Sequence, residues 1–289
     1  MDPGPLTMNP MGSIRIGTSG FGYDDWRGVF YPEKLKKGEM LRYYASRFST
    51  VEINTTFYGI PAPKTFAKMA DSTPPGFEFT IKANKELTHN PEVDPGVFAS
   101  FTEALTPLLE AGKLACVLAQ YPWSFRKNEE NVGRLRQLRE QLGELPVVVE
   151  LRNAEWVGEE TFALLKECRL AFCCVDEPRL KGLMPRTAIV TAPPGYVRFH
   201  GRNAKKWWTH EESWERYDYL YTPEELSEWI PRVGEISEGA EKTYLFFNNH
   251  YKGQAAQNAV MFADMLGLPT ESKEAFIPDN DGQGSLFGE

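Results

Sequence analysis

The sequence predicts a single α/β domain with a (β/α)8, TIM-barrel-like architecture. Three observations lead there. Short apolar runs recur along the chain, and most stop at a polar residue: Ile53 at Asn54, Ile81 at Lys82, Val149 at Glu150, Val175 at Asp176, Phe199 at His200 and Phe247 at Asn248. A parallel barrel produces this pattern, because its site is assembled at the carboxyl ends of its strands. Helix-period segments separate most of the runs, as βα units require. The 289 residues also fit a fold that typically needs about 250. The alternative is an open doubly wound sheet with a glycine-rich first turn. Gly17-Thr18-Ser19-Gly20-Phe21-Gly22 does not match its G-x-G-x-x-G pattern.

Residues 1–13 read as a loose extension rich in Pro, Gly and Met, 14–268 as the barrel domain, and 269–289 as a flexible tail. The first strand is Ile14–Gly17. A helix around Glu39–Phe48 places Leu41, Tyr44, Ala45 and Phe48 on one face. The second strand begins at Val51, and Pro63 opens a helix to about Met69. Phe77, Phe79 and Ile81 alternate along strand three. A loop carrying His89 leads to a helix near Val97–Glu110. Strand four is Leu114–Ala119, followed by a charged amphipathic helix over Asn128–Leu142. Strand five is Pro146–Glu150, the next helix Glu159–Cys168, and strand six Leu170–Val175. Four prolines between Pro178 and Pro194 predict an irregular sixth crossover in place of a full helix. Strand seven, Tyr196–Phe199, leads into a long aromatic loop with Trp207, Trp208, Trp214, Tyr217 and Tyr219. Thr222-Pro223-Glu224-Glu225 carries an N-cap, a proline at the first helical position and a capping-box Glu. Strand eight is Thr243–Phe247, and Gly253–Leu266 closes the domain.

Bulk properties exclude several classes. The net charge is -8, so bulk charge does not favour nucleic acid, although a local basic patch would. There is no run of about 18 apolar residues, so no membrane span is expected. Met1-Asp2-Pro3-Gly4-Pro5 has neither a basic nor an apolar signal region, and a cytoplasmic location is the expectation. Cys116, Cys168, Cys173 and Cys174 lack C-x-x-C spacing and read as buried thiols.

Several motifs occur together and in order: Ile16-Gly17-Thr18-Ser19-Gly20-Phe21 with Trp26; Val51-Glu52-Ile53-Asn54-Thr55-Thr56-Phe57-Tyr58; Lys82 with Thr88-His89; Glu150-Leu151-Arg152 with Trp156; Val197-Arg198-Phe199-His200-Gly201-Arg202; and Asn248-Asn249-His250 with Gly253-Gln254-Ala255-Ala256 and Asn258. In combination they resemble the family called domain of unknown function 72, or YecE-like, over about residues 14–267. The resemblance implies a TIM-barrel-like fold and no particular activity. Likeness to metal-dependent barrels, such as apurinic endonucleases and sugar isomerases, is analogy at the level of fold.

Glu52, Glu150 and Asp176 end three strands. Converging carboxylates suit a hard divalent metal, with His200 as a further ligand, or acid–base work. The alternative is that Glu52 and Glu150 are ion-paired with Arg15, Lys82 or Arg152 and brace the barrel. Lys82 reads as a partner of Glu52 or a phosphate contact, or else as a desolvated amine acting as base or Schiff-base nucleophile. The loops after strands seven and eight predict an anion site, where TIM barrels often hold phosphate. Arg202 and Lys252 would supply charge there, with His200, His250, Asn248 and Gln254 alongside. Asn54, Tyr58, His89 and Arg152 complete the expected ligand-binding set. The loop with Lys205, Lys206 and Trp207 interleaves basic and aromatic residues, which suits stacking on bases or sugars, or packing as a hydrophobic lid. Gln283-Gly284-Ser285-Leu286-Phe287 resembles the short peptide with which bacterial DNA-metabolism proteins dock on the replication sliding clamp; Gln283, Leu286 and Phe287 would make the contact. Three functional readings follow. One is an enzyme acting on a phosphate-containing ligand such as nucleic acid, hydrolytic in type. A second is a non-catalytic nucleic-acid or nucleotide binding protein. The third is a sugar-phosphate isomerase or lyase.

Overall fold

The computed structural model describes residues 12–268. Eight parallel strands run in the order β1-β8-β7-β6-β5-β4-β3-β2. They are β1 Ser13–Thr18, β2 Thr50–Ile53, β3 Glu78–Lys82, β4 Leu114–Gln120, β5 Val147–Glu150, β6 Ala171–Asp176, β7 Gly195–Phe199 and β8 Lys242–Phe247. The seam between β1 and β2 is narrowed by a bridge from Ser19 to Glu52, where the Gly20 N–H donates to the Glu52 carbonyl over 2.7 Å. Gly17 permits this approach, because a Cβ there would lie 2.3 Å from the Thr50 carbonyl oxygen. The result is a nearly closed (β/α)8 barrel, as the sequence predicts.

The helices are α1 Met40–Ala45, α2 Pro63–Asp71, α3 Lys85–His89, α4 Pro95–Glu110, α5 Glu129–Leu142, α6 Glu159–Glu167, α7 Pro223–Ser227, α8 Ile230–Glu238 and α9 Gln254–Met265. Sequence chemistry sets their ends. Asn128 caps α5 by accepting the Asn131 N–H, and Thr222 and Glu225 form the expected capping box of α7. β6 connects to β7 without an intervening helix, the irregular crossover expected from its prolines. The His89 segment departs from expectation: it forms the short helix α3, capped by Asn84 accepting the Glu86 N–H. The first strand starts at Ser13, inside the stretch read as extension, and Gly12 already donates to the Ser237 carbonyl. None of the helices described is long and apolar enough to cross a membrane. The clamp-like peptide with Gln283, Leu286 and Phe287 lies outside the described residues, as does the whole of the expected tail.

Side chains at alternate strand positions fill the barrel, and the polar ones among them are paired with one another. At its amino-terminal end Glu78 accepts from Tyr244 (2.8 Å) and Lys242 (2.7 Å) and pairs with Arg15 (2.7 Å). Higher up, Tyr196 donates to Glu52 over 2.8 Å. The apolar core lies between the barrel and its helices, with Val117, Val149, Val197 and Leu245 fully buried. All four cysteines are buried and free.

Candidate functional site

The mouth is built around Arg198, the penultimate residue of strand β7, which is only 1% exposed. It donates to Glu52 over 2.7 Å and to Glu150 over 2.5 Å, bridging carboxylates from two other strands. Arg152 pairs with the other oxygen of Glu150. Two carboxylates and two guanidiniums thus balance in charge, which allows all four to be buried or nearly so. Burial alone would raise the Glu150 pKa. Arg152, Arg198 and then His200 outweigh it and hold the carboxyl well below the usual range.

His200 lies on the same network. Its Nε2 is 3.1 Å from Glu150 and its Nδ1 is 3.0 Å from the Asn248 amide nitrogen. A carboxylate only accepts and an amide nitrogen only donates, so Nε2 carries the proton and Nδ1 accepts. Burial, followed by Arg152, lowers this imidazole to about 3, so His200 is neutral at pH 7.

Three sequence expectations need correction here. Arg198, not Arg15 or Lys82, is the main partner of Glu52; Arg15 serves Glu78 at the other end of the barrel. Asp176 does not join Glu52 and Glu150. Cys173 and Val175 take the inward positions of β6, so Asp176 points to the helical layer. There it accepts from Tyr221 (2.7 Å), Trp229 (2.7 Å) and Arg202 (2.9 and 2.8 Å), and pairs with Arg186 (2.8 Å). Burial raises its pKa, but the Arg202 hydrogen bond and charge, Trp229 and Arg186 hold it below the usual value. The expected metal set of Glu52, Glu150, Asp176 and His200 is therefore not gathered. Among the described residues no group of three or more His, Cys, Asp or Glu is placed to hold a metal ion.

The anion site expected after β7 and β8 is likewise spent on structure. Besides Asp176, Arg202 reaches Glu225 and Glu228, each at 3.3 Å. Lys252 is exposed and lies over the Tyr251 ring, with its backbone N–H on Asp25 (2.7 Å). Gln254 accepts from the Tyr219 N–H and donates to Asp218, tethering the long loop. His250 stacks on Tyr23 at 4.8 Å and accepts the Trp26 indole N–H at its carbonyl. Gly201 has φ +87° and faces the Tyr219 side chain, a turn role rather than ligand approach.

What the structure does bring together is a cleft of about 240 Å³ over the network. Its lining includes Arg152, Arg216, His89 and the rings of Trp123, Trp207, Trp208 and Tyr217. Trp207 is buried, whereas Trp208 and Trp123 are 51% and 39% exposed and meet edge to face at 5.6 Å. Arg216 lies over Trp207 at 5.4 Å. It has no acidic partner among the described residues, and its Nε is buried without a hydrogen bond.

The surrounding loops are laced together and hold these walls in place. Asn153 donates to the Trp123 carbonyl over 3.1 Å, and the Trp123 indole donates to the Gly182 carbonyl over 3.1 Å. Asn203 ties the long loop to the Glu215 and Asp218 carbonyls. On the opposite side Thr56 donates to the Lys82 carbonyl (2.6 Å), and Asn84 donates to the Thr56 carbonyl (2.9 Å). That lacing sets Phe57 against Lys82, whose Nζ lies 4.3 Å from the ring centroid. His89 meets the same ring edge-on at 5.1 Å and bonds Thr88 at 2.8 Å. Burial, then Lys82 and Arg134, lowers His89 to about 4. Tyr58 is 80% exposed at the rim. The Asn54 side-chain oxygen is buried without a partner.

Glu177, like Arg198 and Arg216, is a group whose role the sequence reading missed. It is 2% exposed; Oε1 accepts the Met184 N–H over 2.8 Å, and Oε2 is buried with no hydrogen bond. Burial, opposed by Arg152, raises its pKa to about 7. The signal available was its place one residue beyond Asp176, on the opposite side of the chain. Lys82 also moves towards neutrality. Burial first, then Arg198, lowers it to about 7 against the pull of Glu150 and Glu52.

Fold and site together define a TIM-barrel protein with an aromatic, arginine-bearing cleft above a buried, charge-balanced network. The chain belongs to the family described as protein of unknown function DUF72, whose model matches residues 15–281. The UPF0759 protein YunF of Bacillus subtilis (strain 168) is 32% identical over 271 residues, covering 88% of this chain and 95% of that protein. The crystal structure of a DUF72 family protein from Thermotoga maritima MSB8 superposes with a TM-score of 0.82 at 43% identity, covering 88% of this chain and 99% of that one. One from Enterococcus faecalis V583 gives 0.81 at 29% identity, covering 93% and 99%.

Proposed function

We propose that the protein is an enzyme acting on a small phosphate-bearing ligand with a planar or sugar ring, bound in the cleft at the carboxyl-terminal mouth. The observation that carries this reading is Arg216. A guanidinium lying over a tryptophan, free of acidic partners among the described residues and facing a cleft it shares with Arg152, is suited to an oxyanion such as phosphate, two of whose oxygens the planar fork can engage. Trp123, Trp208 and Tyr217 offer faces for a ring, and aromatic stacking is worth about 1–3 kcal/mol per base. The volume is a little below the roughly 300 Å³ at which drug-sized sites begin, which favours a mononucleotide or sugar phosphate over a duplex. Glu177 and Lys82, with pKa values near 7, are the groups able to exchange protons at neutral pH, while Glu150 stays ionised.

Thermal-shift titration tests the binding step. Sugar phosphates and nucleoside monophosphates should raise the melting temperature more than ribose or the free nucleosides do. Equal responses with and without the phosphate would overturn the reading.

A further inference from the structure

Lys82 sits at the carboxyl end of β3 among groups that leave its amine without a partner. The two nearby carboxylates are already committed: Glu52 to Arg198 and Tyr196, Glu150 to Arg198, Arg152 and His200. Among the described residues Nζ makes neither a hydrogen bond nor an ion pair, and it lies over the face of Phe57, 4.3 Å from the ring centroid. Lys113 shows how this fold treats a structural lysine. Its Nζ is satisfied by the Ala70 carbonyl (2.6 Å), the Thr73 carbonyl (2.7 Å) and the Thr73 hydroxyl (3.0 Å). Lys82 is held in place by the Thr56 and Asn84 bonds, is partly buried, and is given nothing to bind.

We infer that Lys82 is an amine nucleophile that condenses with the carbonyl carbon of a phosphate-bearing aldehyde or ketone, such as an open-chain sugar phosphate. This rests on the phosphate reading above for the ligand's anchoring, with Arg152 and Arg216 on the phosphate. The neutral amine attacks the carbonyl carbon to give a carbinolamine. The former carbonyl oxygen leaves as water, taking one proton from the nitrogen and one from solvent, and a protonated imine remains. Protonated, the imine draws electrons from the adjacent carbon, which labilises a neighbouring C–H or C–C bond for isomerisation or cleavage without any oxidant or reductant. The groups that face Lys82 and set its protonation are Arg198 on β7, Glu52 on β2, Glu150 and Arg152 at the end of β5, and His89 on α3. With its pKa at about 7, the amine is about half neutral at pH 7, whereas an ordinary lysine near 10.4 is neutral in roughly one molecule in 2,500.

Reductive trapping tests this on the full chain. The protein is treated with glyceraldehyde 3-phosphate and cyanoborohydride at pH 7.5, and the adducts are located by peptide mass mapping. The expected result is a single adduct at Lys82, formed at least about tenfold faster than at the exposed Lys34 or Lys64, suppressed at pH 5 and absent in Lys82→Arg. Unphosphorylated glyceraldehyde is run in parallel. Preferential labelling of Lys82 by both aldehydes at equal rates supports the imine while removing the phosphate reading. Labelling spread over exposed lysines, with no excess at Lys82, overturns the inference; the thermal-shift response to phosphate esters then still judges the phosphate reading separately.

Discussion

Replacing Arg198 with methionine tests the network beneath the cleft. The methionine nearly fills the space of the arginine stem but leaves both bridged carboxylates short of a cation. Glu150 retains Arg152 and His200, whereas Glu52 retains, among the side chains of the described residues, only the hydrogen bond from the Tyr196 hydroxyl. Breaking a buried pair by removing one partner costs about 3–5 kcal/mol, mostly because the other charge is left uncompensated. Against a domain stability on the order of 5–15 kcal/mol, Arg198→Met should lower the urea midpoint severely. The cause can be isolated with a second substitution. In the Arg198→Met background, Glu52→Gln removes the orphaned charge and should restore roughly half the loss, although in the wild type it is itself destabilising because it leaves Arg198 half-paired. Unfolding would be followed by tryptophan fluorescence and far-ultraviolet circular dichroism at pH 7.5, with coincident transitions required before free energies are compared. A loss under about 1 kcal/mol for Arg198→Met, or losses that simply add in the double variant, would refute the view that buried charge balance holds this site together.

Glu177→Gln should change how stability depends on pH. In the wild type the folded carboxyl rises from 4.5 to about 7, so its contribution is fully present below 4.5 and is lost as pH climbs through 7. The variant lacks that loss. It should gain on the wild type by up to about 3 kcal/mol between pH 4.5 and 8, and parallel stability curves would contradict the assignment. Asp176→Asn leaves Arg202 and Arg186 facing a neutral amide and should cost about 3 kcal/mol or more while leaving ligand affinity in the cleft within about twofold; a selective loss of binding would return Asp176 to the site. Arg216→Met should weaken binding of a nucleoside monophosphate about 10–100-fold, since hydrogen bonds to charged groups contribute about 1.5–3 kcal/mol, and should leave the melting temperature of the free protein nearly unchanged. Affinity unaltered in isothermal calorimetry would remove Arg216 as the anion contact.

The barrel was legible because its cues are local. Alternation in Phe77, Phe79 and Ile81, the Thr222 capping box and the prolines of the sixth crossover each act over a few residues, and the structure agrees with each. The site was only half legible, because its meaning lies in contacts between strands. Glu52 and Glu150 could be recognised as strand-end carboxylates, but nothing near either one identifies Arg198, which lies 146 and 48 residues away along the chain. Asp176 looked equivalent to them, and only the inward phase of β6 separates it from its neighbour Glu177. Arg202 and Lys252 stood where barrel loops often hold phosphate; Arg202 is instead consumed by acids from β6 and α7 and just beyond it, at Asp176, Glu225 and Glu228. Trp207 was read correctly as part of an aromatic loop, yet its pairing with Arg216 depends on how Asn203 and Gln254 fold that loop back.

The most direct test of the central claim is a crystal structure with ribose 5-phosphate or a nucleoside monophosphate bound. The account expects the phosphate between Arg152 and Arg216, with the ring against Trp123, Trp208 or Tyr217. Phosphate density at Arg202 and Lys252 instead, or a ligand bound away from the cleft, would contradict it.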